Sequence, residues 1–296
     1  MRTPGPTVGL TVLTVLLAQS AQATPIGLAW ANGSLWFSDW QTGAIVNVDP
    51  ATNEILGSFQ PSPSDIVRGD LVRDLAWDGT SMWAAYWSNP ETPDFYLPSS
   101  VYAFALDGTI RRSIVAPFSD FAGAIMLQED LLWIGEQSSG GVGRLFGVDP
   151  LTGAVAGLRT FPIGIPEPYT LRAIDSDGVD TWVGLQGYDE NQIRKLDASG
   201  NVLAAFDSPY GTCQQGLAFD GHSLWASGSC GELAETISEL DPLTGNVISM
   251  FTPNRSFTVP QPVPEPASLI LLGTGLAGAG VRCWRKSRPT RAGGVS

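Results

Sequence analysis

The chain has 296 residues, with 16 Lys plus Arg against 29 Asp plus Glu, and it holds 3 Cys and a single His. Between residues 24 and 258 the balance is 10 basic to 28 acidic, a net charge of −18, which argues against nucleic acid and anionic membrane surfaces as partners. That segment contains one lysine, Lys195, and one histidine, His222; the acid–base chemistry open to it is narrow, and no Cys/His cluster has zinc spacing.

Residues 1–23 read as a secretory signal peptide. Arg2, the apolar run from Val8 to Ala18, and Ala21-Gln22-Ala23 before Thr24 supply the charge, hydrophobic length and small-residue cleavage pattern. The mature chain is expected to begin at Thr24, and no cysteine marks a lipoprotein site.

Residues 24–258 carry one pattern five times. It is plainest as Gly27-Leu28-Ala29-Trp30, Asp74-Leu75-Ala76-Trp77 and Gly216-Leu217-Ala218-Phe219, each followed by a polar turn and an apolar–Trp pair. The anchors Trp36, Trp83, Trp133, Trp182 and Trp225 lie 47, 50, 49 and 43 residues apart. A third strand then ends in Asp, as in Asp49-Pro50, Asp107-Gly108, Asp149-Pro150, Asp197-Ala198 and Asp241-Pro242, before a turn and a fourth strand. Four short strands per repeat of about 40–50 residues is the period of a β-propeller blade. The expected fold is all-β, a five-bladed propeller without a strand-exchange latch, with six blades left open. The anchor tryptophans are expected to fill the wedges between blades, and the Asp turns to be structural. Through its Asp-Gly-x-x-Leu-Trp and Asp-Pro-x-Thr-Gly phrases the array resembles NHL-like, PQQ-like and glutaminyl-cyclase-like propellers.

In such blades the long, varied connections share one face: Phe59 to Arg73, Ala85 to Ser100, Phe161 to Arg172, and Phe206 to Gln215. Variable loops on a fixed scaffold are where binding residues collect. Candidates there are Trp40 and Trp87, each four residues after its anchor, with Tyr86, Tyr188 and Tyr210 nearby. These aromatics either stack on a ligand such as a polysaccharide or pack their own loops. Arg73 and Arg172 stand ten residues before their anchors, where the fifth repeat has Gln215. The two arginines either clamp a carboxylate or pair with Asp39, Asp74, Glu136 and Asp175 around the channel mouth. Cys213 and Cys230 are an even pair in an exported domain and suggest a disulfide, worth about 3 kcal/mol on the chain-entropy model.

Catalysis finds little support. His222 sits in the Asp220–Ser223 turn, on the opposite face from the loops. Gln215-Gly216-Leu217 with Ser227-Gly228 is similar to phrases of the plant-type glutaminyl cyclases, but the carboxylate that the resemblance implies falls at Ala226. No catalytic residue, metal or cofactor is assigned.

The chain closes with a Pro-rich spacer (259–266), an apolar Gly-rich run (267–281) and a basic tail (282–296) containing Arg282, Arg285, Lys286, Arg288 and Arg291. As a helix the apolar run spans roughly 22 Å, short of a bilayer core of about 30 Å unless flanking residues work at the interfaces. The basic residues beyond it place the C-terminus in the cytoplasm and the repeats outside. The succession of Val263-Pro264-Glu265-Pro266, single helix and Arg-rich end resembles the PEP-CTERM sorting signal. That resemblance implies an exosortase as partner and a passage through the inner membrane of a Gram-negative bacterium. It also implies delivery to the cell surface or extracellular matrix, where polysaccharide or an envelope protein is the expected contact. The reading is therefore an exported binding or structural propeller. The competing reading is a propeller enzyme, a lyase or glutaminyl-cyclotransferase-like, using channel-mouth carboxylates.

Overall fold

The structure, a computed structural model, describes residues 23–61, 71–87, 99–117, 122–136, 142–162, 170–187 and 191–254. The chain divides into two units, residues 1–259 and 260–296, and every described residue belongs to the first. The predicted signal peptide up to Gln22, the spacer, the apolar run and the basic tail lie outside the described residues. Among the described residues no helix is long and apolar enough to cross a membrane.

Among the described residues twenty strands form five four-stranded antiparallel sheets, each made of four consecutive strands. Blade 1 comprises β1 (Pro25–Ala31), β2 (Ser34–Asp39), β3 (Ile45–Asp49) and β4 (Glu54–Phe59). Blade 2 comprises β5 (Leu71–Trp77), β6 (Met82–Trp87), β7 (Ser100–Phe104) and β8 (Ile110–Val115). Blade 3 runs through β9 (Ala122–Gln128), β10 (Leu131–Glu136), β11 (Val142–Val148) and β12 (Val155–Pro162). Blade 4 holds β13 (Thr170–Ser176), β14 (Thr181–Gln186), β15 (Asn191–Leu196) and β16 (Val202–Asp207). Blade 5 holds β17 (Gln214–Phe219), β18 (Leu224–Gly228), β19 (Ile237–Leu240) and β20 (Val247–Phe251). The five-bladed expectation is met, and among the described residues no blade borrows a strand from the other end of the chain.

The sequence gradient within a blade follows from burial. Inner strands are covered on both faces and read as near-continuous apolar runs, whereas outer strands such as β4 and β16 alternate between solvent and sheet. The anchor tryptophans sit on the second strands and fill the wedges as expected. Trp36 packs with Val72, Leu75, Met82, Tyr102 and Phe104 of blade 2. Trp83 packs with Ile125 and Leu132 of blade 3, and Trp133 with Leu171 and Val183 of blade 4. Trp182 lies with Leu217 and Leu224 of blade 5, and Trp225 with Leu28, Leu35 and Phe37 of blade 1. The ring thus closes by side-chain packing, aided by Trp30 stacked on Trp225 with centroids 6.3 Å apart. A hydrogen bond from the Ser227 hydroxyl to the Ile26 carbonyl, 2.6 Å, joins the same two blades.

The third-to-fourth strand turns are built as expected. Asp49, Asp107, Asp149, Asp197 and Asp241 each accept the amide two residues on, at 2.7–2.9 Å. Near the axis the inner strands approach backbone to backbone. A Cβ on Gly216 would lie 2.0 Å from the Ile26 carbonyl oxygen, so only glycine fits there.

Candidate functional site

All five inner strands carry a register irregularity at the same repeat position. The residues skipped in pairing are Ile26 and Gly27, Arg73, Gly123, Arg172, and Gln215. A bulge of this kind re-aims a side chain that regular pleating would direct into a blade interface. Arg73, Arg172 and Gln215 are thus bulge residues of blades 2, 4 and 5, at the channel end from which the long connections leave.

The structure brings two of them into contact. Arg73 donates from Nη1 to Gln215 Oε1 at 3.2 Å, linking blades that are not neighbours in the ring, so the side chain spans the mouth. Its guanidinium lies 5.2 Å from the ring centroid of Trp40, from blade 1. Arg172 donates from Nε to the Gln186 side-chain oxygen at the end of β14. Burial pushes Arg73 down to about 9, with the like charge of Arg172 adding to it, and burial also lowers Arg172.

The acids expected around the mouth have separate duties. Asp39 accepts the Thr24 amide at 2.9 Å and the Thr42 hydroxyl at 2.6 Å, bracing the turn after β2. Glu136 pairs with Arg144 in its own blade, at 2.5 Å. Asp74 is fully buried and accepts the Ile125 amide at 2.9 Å, tying blade 2 to blade 3. Asp175 stands further along its own strand, and its charge is felt by Asp74. It lies three residues beyond Arg172, about 10 Å along the strand, pairs with Trp182 beside the hairpin turn, and accepts the Phe219 amide at 2.6 Å. Burial raises both of these buried carboxyls, Asp175 to about 7.

The expected aromatic rim is smaller than the sequence suggests. Tyr86 is buried and meets Tyr102 edge-on at 5.3 Å. Tyr210 is buried too, its hydroxyl within 3.1 Å of the Ala226 and Thr236 carbonyls. Both therefore pack the scaffold. Trp40 is half-buried at the mouth; the Trp87 side chain and Tyr188 lie outside the described residues. Cys213 and Cys230 form a disulfide with Cα atoms 5.5 Å apart. Its Cys213 ends a 3-10 turn, Gly211–Cys213, that leads into Gln214 and Gln215. Gln214 is held in turn by the Ser208 hydroxyl at 2.6 Å.

Two sets of residues escaped the sequence reading. Ser38 and Ser227, each two residues after an anchor, bond the next blade's inner strand at Val72 and Ile26; the first of these braces the residue before Arg73. Their shared spacing was the available signal. Gln186, the partner of Arg172, had none. The cyclase-like carboxylate position is occupied by Ala226, which is fully buried, and His222 is exposed in its turn. Among the described residues no group of three or more His, Cys, Asp or Glu is arranged to hold a metal.

The PEP-CTERM protein-sorting motif matches residues 262–286, and it implies export, a membrane-anchored intermediate and exosortase processing. No curated protein matches the chain. Among solved structures, the glutaminyl cyclase of Myxococcus xanthus is 12% identical with a TM-score of 0.51, over 70% of this chain and 86% of that one. A protein of unknown function from Bacteroides caccae is 17% identical with a TM-score of 0.44, over 71% and 69%. A streptogramin B lyase is 15% identical with a TM-score of 0.41, over 81% and 70%. At such identities the cyclase likeness concerns the propeller fold alone.

Proposed function

We propose that this chain, which carries a PEP-CTERM sorting motif behind a five-bladed propeller, is a surface-displayed binding protein of a Gram-negative bacterium. In this reading residues 24–258 are exported, the motif Val263-Pro264-Glu265-Pro266 is recognised by exosortase, and residues 267–281 hold the intermediate in the inner membrane. The propeller then faces the cell envelope or its extracellular polysaccharide and binds without catalysis.

The observation that carries the reading is the cross-axis bond from Arg73 to Gln215, with Arg172 and Trp40 beside it. Donors held in place before a ligand arrives favour recognition, because little ordering cost remains on binding. A general acid or base is harder to assign: Ala226 occupies the cyclase-like position, and Asp39, Asp74 and Glu136 are engaged in bracing the scaffold.

The test is binding of the full chain to glycan arrays and to extracted envelope polysaccharide, repeated with a Trp40→Ala, Trp87→Ala double variant. Binding that the double variant loses is expected. Absence of binding to any envelope component would sink the reading, as would turnover of an N-terminal Gln peptide that Glu136→Ala abolishes. For the sorting arm, Glu265→Ala should leave the chain unprocessed in the inner membrane.

A further inference from the structure

The mouth of the axis concentrates positive charge on a domain that is otherwise strongly acidic. Arg73 crosses from blade 2 to Gln215 of blade 5, and Arg172 of blade 4, a neighbour of blade 5, projects from the equivalent bulge. Arg172 uses Nε on Gln186; among the described residues its two terminal nitrogens meet no partner and it pairs with no carboxylate. Both guanidiniums are half-buried, and their mutual repulsion is felt by Arg73. Two such forks offer parallel N–H pairs, the geometry that matches a planar carboxylate. A carboxylate lying between them would relieve the repulsion as well as accept their hydrogen bonds. Trp40 beside Arg73 supplies an amphipathic surface on which a sugar ring can rest.

The surrounding charge narrows the ligand further. With a net charge of −18 over residues 24–258, a dense polyanion would be repelled at long range. A carboxylate isolated on an otherwise neutral molecule carries one charge and is repelled far less.

We propose that the channel mouth is a carboxylate subsite for a saccharide, in which Arg73 and Arg172 grip an isolated uronic-acid carboxylate and Trp40 supports its ring. This rests on the binding-module reading and assigns it a ligand chemistry. Because the attraction is short-range and partly buried while the repulsion is long-range and exposed, added salt screens the repulsion more than the grip.

The experiment is calorimetric titration of the full chain in detergent with galacturonate, and with galactose and acetate as controls, at about 0.05 and 0.3 M salt. Galacturonate is expected to bind at least tenfold more tightly than either control, with affinity unchanged or increased at the higher salt. Arg172→Gln should reduce galacturonate affinity at least tenfold, and Arg172→Lys, which keeps the charge but not the fork, should fall between; thermal melts of both variants verify that they fold. Equal affinity for galacturonate and galactose would overturn this inference and leave the binding-module reading intact. Acetate binding as tightly as galacturonate would overturn the saccharide assignment. An unchanged affinity in folded Arg172→Gln, or affinity that drops steeply with salt, would overturn the site. Failure to bind any saccharide, neutral or acidic, would remove this inference and count against the parent reading as well.

Discussion

Trp83 donates its indole N–H to the carboxylate of Asp78, five residues upstream, at 2.7 Å. The other oxygen of Asp78 accepts the amides of Thr80 and Ser81, so one side chain closes the first hairpin turn of blade 2 and fixes the wedge tryptophan. Asp220 repeats the arrangement with Trp225 at 2.9 Å. In blade 4 Asp177 stands at the same position but binds Lys195 at 2.7 Å, and that ammonium lies 5.6 Å from the Trp182 ring centroid. Asp78 and Asp220 thus each have two duties, turn and anchor. Replacing Asp78 with Ala is expected to cost about 1–2 kcal/mol, the range for a partly exposed hydrogen bond to a charged group, read from the urea midpoint. A loss as small as that of an ordinary surface substitution would show that the indole bond is dispensable.

Cleavage after Ala23 would change the bond between Thr24 and Asp39. The Thr24 amide that donates to Asp39 at 2.9 Å would become an α-ammonium facing a buried carboxylate, a charge-assisted pair. Asp39→Asn, which loses one acceptor of the turn in both forms, should therefore destabilise the mature domain by about 1–2 kcal/mol more than a form that retains Ala23. Equal losses in the two forms would mean that the new charge contributes nothing.

Asp74 and Asp175 on one side and the exposed turn carboxyls on the other predict opposite pH responses. Asp175 is raised by burial from 3.8 to about 7, and Asp74 is raised too. Between those values the folded chain binds protons that the unfolded chain has released. The Asp175 contribution is whole below pH of about 4 and is lost as pH rises through about 7; that of Asp74 has the same sign. Asp149 and Asp241 are held low by the amides of Leu151 and Leu243, so their contribution is present at neutral pH and lost in acid. Asp175→Asn keeps an acceptor for the Phe219 amide and removes the titration. Stability measured from pH 4 to 8 should decline less steeply in this variant, which should be at least as stable as the parent at pH 8. A slope identical to the parent's would refute the assignment.

Cys213 and Cys230 are 17 residues apart, and a loop of that size is worth about 3 kcal/mol on the chain-entropy model. The double Cys→Ser variant should lose roughly this amount in chemical denaturation. Because Cys213 leads directly into Gln214 and Gln215, the bond from Arg73 to Gln215 should also loosen, visible as faster amide exchange at the start of β17. A destabilisation with unchanged exchange there would confine the disulfide to a global role.

Much of this protein is legible along the chain. The sorting tail is read as a linear motif, so Val263 to Pro266, the apolar run and the basic end needed no fold to be recognised. The blades were legible because each must fill the same wedge and close the same turn, and the recurring Trp and Asp record those two requirements. The mouth was legible only in part. Arg73, Arg172 and Gln215 shared a spacing from their anchors, but spacing cannot say that a bulge turns them to the axis. Nor can it say that blades 2 and 5 meet across that axis, 142 residues apart in sequence. Asp175 is close to Arg172 in sequence, yet a strand rises by about 3.3 Å per residue, and its carboxylate accepts the Phe219 amide of blade 5. Local sequence determined the address and the strand pattern, since those depend on short-range periodicity, and it favoured five blades over six; the sheets settled the count. The assignment of each polar side chain to the mouth, to a blade interface or to a turn was decided by tertiary structure, because it depends on register and on which blades close the ring.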